Sequence, residues 1–323
     1  MKSIEKLASC VAAAAVAITM ASSAMADVNV AFFLEWATPN QEDKVKKVYD
    51  DALGTKVNWT NFDAGTAMTE AMLAGDIDIS YSQGLAPFVN GVNASAPIKM
   101  VALAVAYPAN DCFVRNDASI DASNANELEG QSVAVPLNTM ADYSFRVMMK
   151  TLGVDVSKIK VIDQAPEDGA VSLTDGNVVM ACIFGGNSAA KAREVGTPIM
   201  SEKSKQAAGI VSFDVVSVTE KFAQENPEQL RTFLQVTDEA NTRYNAGKSD
   251  MEIIAKDAGM KLPLARDLIS TFVFPSNQEQ LSNYFSKGGP VEAAINFVGQ
   301  TFATAEAPAL ADYSAVIDTS FLK

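Results

Sequence analysis

Residues 71–84 read AMLAGDIDISYSQG, and residues 171–186 read VSLTDGNVVMACIFGG. Each runs as the end of a helix stopped by a glycine (Gly75, Gly176), a polar residue, a short apolar strand, and a turn of small or polar residues. Glycine just past a helix enters the left-handed region without a Cβ clash, which makes it the usual stop. A phrase recurring a hundred positions later is too long for a solenoid repeat. It predicts two α/β lobes whose strand-helix units are built alike.

Outward from the first copy the alternation continues. VNVAFFLEWATPN (28–40) is a strand ending in a polar turn, QEDKVKKVYDDALGT (41–55) an amphipathic helix closed by Gly54, KVNWTNF (56–62) a strand and GTAMTEAMLAG (65–75) a helix. DIDISYS (76–82) is the next strand. Around the second copy, KIKVIDQ (158–164), EDGAVSLTDG (167–176) and NVVMACIFGG (177–186) repeat strand, helix, strand. Strands alternating with helices imply parallel α/β layers. After GIVSFDVVSVT (209–219) the apolar spacing becomes mostly helical to the end.

The 323-residue chain is 48% hydrophobic, enough for one large or two medium cores. Its first 26 residues stand apart: Lys2 and Lys6, an apolar run Val11–Met20, then Ala24-Met25-Ala26, a small-x-small cleavage pattern. They are expected to be a secretory signal peptide, with a soluble periplasmic chain starting at Asp27. Losing two lysines and one glutamate takes the formal charge from −14 to −15. So acidic a surface disfavours nucleic acid and anionic lipid. A local, dipole-lined pocket can still hold a small anion, because net charge is long-range and screened.

There is no histidine. That removes Ser-His-Asp and Cys-His catalysis and His-ligated zinc; no motif for another enzyme replaces them, and no cofactor or metal is expected. Cys112 and Cys182 remain after export; in an oxidising setting they allow a disulfide, with buried free thiols as the alternative.

In open α/β sheets ligands bind beyond the carboxyl ends of strands, and each such end offers candidates. Glu35 and Trp36 follow the first strand: the indole could close over a ligand, and the carboxylate could be structural. Ser82, Gln83 and Gly84 stand before a helical start, suited either to an anion or to ordinary capping. Asn138 and Thr139 open another helix, where Thr139-x-x-Asp142 forms a capping-box pattern and Asp142 lies four residues before Arg146. Phe184, Gly185 and Gly186 follow a further strand without a phosphate-loop signature. Asp214 interrupts an apolar run, and a buried carboxylate wants a cation, from the protein or from a ligand's ammonium.

At these residues the chain resembles the substrate-binding component of the taurine and alkanesulfonate class of ABC importers. FFLEWATPNQ (32–41), NFDAGTAMTEAMLAGDIDISYSQGLAPFV (61–89), LEGQSVAVP (128–136), LGVDVSKIKVI (152–162) and FDVVSVTEKFAQENPEQL (213–230) carry the likeness, from Asp27 to Lys323. The resemblance implies a two-lobed periplasmic binding fold of type II, with mixed sheets flanked by helices. One lobe would hold residues 27–110 and 215–323, the other 111–214. It also implies delivery of the solute to a membrane permease driven by a cytoplasmic ATPase. For a zwitterion such as taurine, Ser82, Gln83, Asn138 and Thr139 would face the sulfonate and Asp214 and Glu35 the ammonium, with Trp36 and Phe184 around the carbon chain. Taurine binders of this class commonly carry Thr-His-Tyr where this chain has Ala141-Asp142-Tyr143. Tyr143 keeps the pattern; Asp142 puts a carboxylate beside the expected anion site. An Asp142 facing the pocket points to an amine or another small amino acid, and one capping its helix leaves taurine in place. A synthase-like enzyme on a related two-lobed fold, and a sensor partner presenting the closed binder to a receptor, are the readings from other classes.

Overall fold

The structure is a computed structural model and describes residues 26–210 and 212–323. The leader expected at residues 1–26 therefore lies, except for Ala26, outside the described residues.

Two five-stranded sheets organise the chain. The first has the order β2-β1-β3-β10-β4, from β1 (Val28–Phe33), β2 (Val57–Phe62), β3 (Ile79–Gly84), β4 (Ile98–Tyr107) and β10 (Ser212–Thr219). The second has the order β7-β6-β8-β5-β9, from β5 (Asp111–Arg115), β6 (Ser132–Val135), β7 (Lys160–Asp163), β8 (Met180–Ile183) and β9 (Gly196–Pro198). In each sheet the strand-helix repeat supplies a parallel trio, β2-β1-β3 and β7-β6-β8. In each, an antiparallel strand then joins the edge of that trio: β10 against β3, and β5 against β8.

The chain crosses between sheets twice: outward from β4 to β5 through Pro108–Asn110, and back into β10 after helix α8 (Glu202–Ala207). Lys205 braces both crossings. It is 2% exposed, its ammonium donates to the Ala109 carbonyl and to Asp111 Oδ1, both at 2.7 Å, and it pairs with Glu202. A buried ammonium is tolerable only with partners of this kind. On β5 and β8, the directly opposed Cys112 and Cys182 are joined in a disulfide, which settles the choice left open above.

The helix expected across residues 41–54 is two: α1 (Asn40–Val45) and α2 (Val48–Leu53), separated by Lys47 at φ +58°. The break separates two jobs. Glu42 and Asp43 of α1 meet Arg243 at 3.2 and 2.8 Å, while Tyr49 of α2 turns into the core against Phe233. The remaining helices that position the site are α3 (Gly65–Ala74), α4 (Leu85–Asn93), α5 (Met140–Thr151), α6 (Pro166–Asp175) and α7 (Gly186–Val195). The C-terminal third is helical as expected, broken at Asn226 ahead of Pro227. Proline has no amide to continue the preceding helix and can only begin the next. No helix among the described residues is long and apolar enough to cross a membrane.

Candidate functional site

The strand ends of both sheets converge on one small chamber. β1 delivers Phe33 and Trp36, the start of α3 Gly65, the β3-α4 junction Gly84 and Pro87, α5 its cap Thr139 with Met140, and β8 Phe184. Tyr107, Asn110 and Asp214, which flank the two crossings, complete the wall. The chamber is small, about 30 Å³. An adjoining cavity of about 430 Å³ shares Trp36, Tyr107, Asn110 and Phe184. Its two cations are already paired, however: Arg193 with Asp111, and Lys205 with Asp111 and Glu202.

Close backbone approach explains two glycines. A Cβ at Gly65 would come 2.7 Å from Pro87 Cγ, and one at Gly84 would come 3.1 Å from Met140 Cγ. Both lie below ordinary van der Waals contact, so the first turns of α3, α4 and α5 can meet at the chamber only with glycine there. Helix N-termini carry the positive end of the macrodipole and amides without helical partners. Three of them bordering one chamber make that side hospitable to an anion.

The negative group stands beside one of these termini: Asp214 of β10 pairs directly with Gly84, the N-cap of α4. Asp214 is 3% exposed; its Oδ1 accepts from the Tyr107 hydroxyl at 2.8 Å and its Oδ2 from Ser82 Oγ at 2.9 Å. Ser82 Oγ in turn accepts from Trp36 Nε1 at 3.0 Å. Burial pushes the carboxyl up to about 7, against the opposing pull of hydrogen bonds from Tyr107, Ser82 and Trp36. No lysine or arginine among the described residues forms an ion pair with it or contributes to that shift. Three neutral donors hold the carboxyl in place without neutralising it; near pH 7 a proton does so in part, and the ionised form has no cationic partner among the described residues. Trp36 itself is wedged between Phe272, Tyr107 and Phe184, with ring centroids at 4.6, 5.0 and 6.5 Å.

Thus Trp36, Thr139, Phe184 and Asp214 line the chamber, and Ser82 lies behind Asp214. Thr139 caps α5 by accepting from the amides of Ala141 and Asp142, and its hydroxyl donates to the Pro136 carbonyl. The other five expected residues do different work. Gln83 belongs to β3 rather than to a turn. Its amide donates to the Gly65 carbonyl and Thr69 and accepts from Ser217, so it clamps α3 to the sheet and has no donor left for an anion.

Asp142 is fully buried away from the chamber. It accepts from Arg146 Nε at 2.8 Å, the expected i,i+4 pair, and from the Asn138 amide at 2.9 Å, one residue ahead of the Thr139 amide that a capping box would use. Tyr143 is core: it is 0% exposed and edge-on to Phe297 at 5.9 Å. Asn138 is exposed and accepts from Asn90 of α4 across the gap between the sheets.

Glu35 also spans the gap. Its carboxylate accepts from the Ser188 amide at 3.1 Å, Ser188 Oγ at 2.9 Å and Asn187 Nδ2 at 3.1 Å. Its carbonyl accepts from the Gly186 amide. It therefore serves as the missing cap of α7, whose own N-cap, Gly185, has no side chain to offer.

Strain marks the same region. Glu35, Ser82 and Asn138 are three of the six non-glycine residues at positive φ among the described residues. Glu35 and Asn138 stand just past the ends of β1 and β6, and Ser82 stands near the end of β3. Such backbone costs of order 1–3 kcal/mol per residue and persists where the surroundings enforce it.

Sequence reasoning passed over Tyr107, Asn110 and Met140. Tyr107 ends a long apolar strand just before a proline, the same signal that singled out Trp36. Met140 stood in the Thr-x-x-Asp motif as an unread x.

The family model described as NMT1/THI5 like matches residues 52–244. The chain is 22% identical over 297 residues to the taurine-binding periplasmic protein of Escherichia coli (strain K12), covering 89% of this chain and 90% of that protein. Among solved structures, it is similar to the alkanesulfonate-binding protein SsuA from Xanthomonas axonopodis pv. citri bound to MOPS, with TM-score 0.73 and 14% identity over 92% of this chain and 99% of that one. It is also similar to the periplasmic aliphatic sulphonate binding protein SsuA from Escherichia coli, with TM-score 0.65 and 18% identity over 85% and 91% of the two chains. The fold is that of the periplasmic binding proteins.

Proposed function

The chain belongs to the NMT1/THI5-like family, and from that premise we propose that it is the periplasmic solute-binding component of an ABC importer, taking taurine or a close aminosulfonate. Each sheet with its helices forms one lobe, and the solute sits between them before release to a permease driven by a cytoplasmic ATPase. One observation carries the choice of a zwitterion: a buried carboxylate, Asp214, with only neutral donors around it, faces a chamber bordered by three helix N-termini. The ammonium of the solute answers the first and the sulfonate the second. The name of the Escherichia coli relative points the same way.

An amine in place of taurine was motivated by Asp142, and that carboxylate is engaged by Arg146 and the Asn138 amide outside the chamber. Binding rather than catalysis is supported by a chain without histidine whose Cys112 and Cys182 are paired.

The test is a thermal-shift panel of taurine, hypotaurine, isethionate, β-alanine, γ-aminobutyrate and simple amines. A solute at a hundredfold excess over its Kd stabilises the native state by about 2.7 kcal/mol. Taurine or hypotaurine should raise the melting temperature most, and isethionate, which lacks the ammonium, much less. A clear shift with amines and none with any sulfonate would sink the proposal.

A further inference from the structure

The chamber is too small, at about 30 Å³, to take even a two-carbon aminosulfonate with every side chain where it stands. With the two sheets held as they stand, most of its wall cannot yield: it is glycine backbone, Pro87, or aromatic rings packed on one another. Met140 is the exception. It is a long unbranched side chain, 3% exposed, on the first turn of α5, and it crosses from the second sheet's side to the first. Methionine has three freely turning bonds and fills irregular gaps at little conformational cost. Its sulfur has a specific partner: the Ala86 amide, in the first turn of α4, donates to Met140 Sδ at 3.2 Å. A thioether is a weak acceptor. A hydrogen bond to an anionic oxygen is roughly twice as strong as a neutral one.

We propose that Met140 is a specificity-determining residue of this site, whose thioether holds the Ala86 amide that an anionic head group takes over, and whose retreat sets the size of solute admitted. This rests on the sulfonate reading given above. It makes a leucine at position 140 informative, because leucine keeps the bulk and removes the sulfur. The Ala86 amide then has no acceptor to give up, and an anion gains the whole of its new hydrogen bond.

The experiment is calorimetric titration of the wild-type protein, Met140→Leu and Met140→Ala with taurine and with its three-carbon homologue 3-aminopropanesulfonate, with melting curves to confirm folding. Met140→Leu should bind taurine several-fold tighter, roughly 2- to 10-fold for one hydrogen bond no longer exchanged. Met140→Ala should shift preference toward the longer homologue. Wild-type binding to taurine with unchanged or weaker binding in Met140→Leu and no change of size preference in Met140→Ala overturns the role of Met140 and leaves the sulfonate reading intact. No binding of either sulfonate by any of the three proteins overturns that reading, and with it the exchange of thioether for anion.

Discussion

Tyr107 and Asp214 sit one strand apart on β4 and β10, and the tyrosine hydroxyl donates to the carboxylate at 2.8 Å. Each lies within a few residues of a crossing between the sheets, Tyr107 just before the outward one and Asp214 just after the return. A solute bound at Asp214, as proposed, would lie beside both segments that join the sheets.

Asp214→Asn should abolish most affinity for an ammonium-bearing solute while leaving the fold intact, since Ser82 and Tyr107 can both reorient their hydroxyls toward an amide. Removing one member of a buried charged pair costs about 2–5 kcal/mol, roughly thirtyfold or more in Kd. Calorimetric titration with taurine would decide it, and unchanged affinity would make this carboxylate purely structural.

The same group predicts a pH dependence. Asp214 titrates near 7 when folded, against an ordinary 3.8. Its contribution to stability is therefore fully present below the unfolded value and is lost as pH rises through the folded one. Between about pH 5 and pH 8 the unliganded protein should lose about 2–3 kcal/mol from this residue, and Asp214→Asn should flatten that part of the slope. Affinity runs the other way, strengthening up to tenfold per pH unit until about pH 7 and levelling above it. Melting curves of both proteins across this range test the sign directly.

Glu35→Gln should leave association rates alone and speed dissociation by several-fold. The carboxylate caps α7 from the other side of the gap, and weakening one such charge-assisted contact costs about 1 kcal/mol. Kinetics on immobilised protein would measure this; equal dissociation rates would mean that the cap stabilises only α7.

For Asp142→Asn the expectation is reversed: stability falls by about 1–3 kcal/mol through loss of the Arg146 and Asn138 contacts, while affinity stays the same. A tenfold loss of affinity without destabilisation would restore this residue to the site.

Reduction of the Cys112–Cys182 disulfide, which spans a sequence separation of 70, should cost about 4 kcal/mol by releasing chain entropy in the unfolded state. Both cysteines are 1% exposed, so the reductant should act only after unfolding. Melting curves of Cys112→Ala/Cys182→Ala protein give the equilibrium effect without that delay.

Local rules carried the reading of the sequence as far as local forces decide the structure. The stops at Gly54, Gly75 and Gly176 and the alternation of strand and helix are properties of neighbouring residues, and they sufficed for two similar α/β units. The antiparallel strands β5 and β10 did not follow, because their partners are distant in the chain. The site divides the same way. Thr139 as a cap and Asp142 as its helix partner are local and legible. Gln83 was misread because strand β3 continues through it, held by pairing with β10. A structural role for Glu35 was open from the sequence, but its partner was not legible, because the helix it caps begins 151 positions later, at Gly186. Met140 was missed because its partner, the Ala86 amide, belongs to the other sheet's helices.

The chain has two tryptophans, and the fold gives them opposite surroundings. Trp36 forms the chamber wall and is tied through Ser82 to Asp214. Trp59 packs with Phe32, Tyr49 and Phe233, against a separate core cluster. Indole emission follows the charge and polarity next to the ring, so Trp36 would report the ionisation of Asp214 and, on the proposed function, the arrival of solute. A Trp59→Phe protein would leave a single emitter at the site, and its spectrum could follow capture in real time without any attached dye.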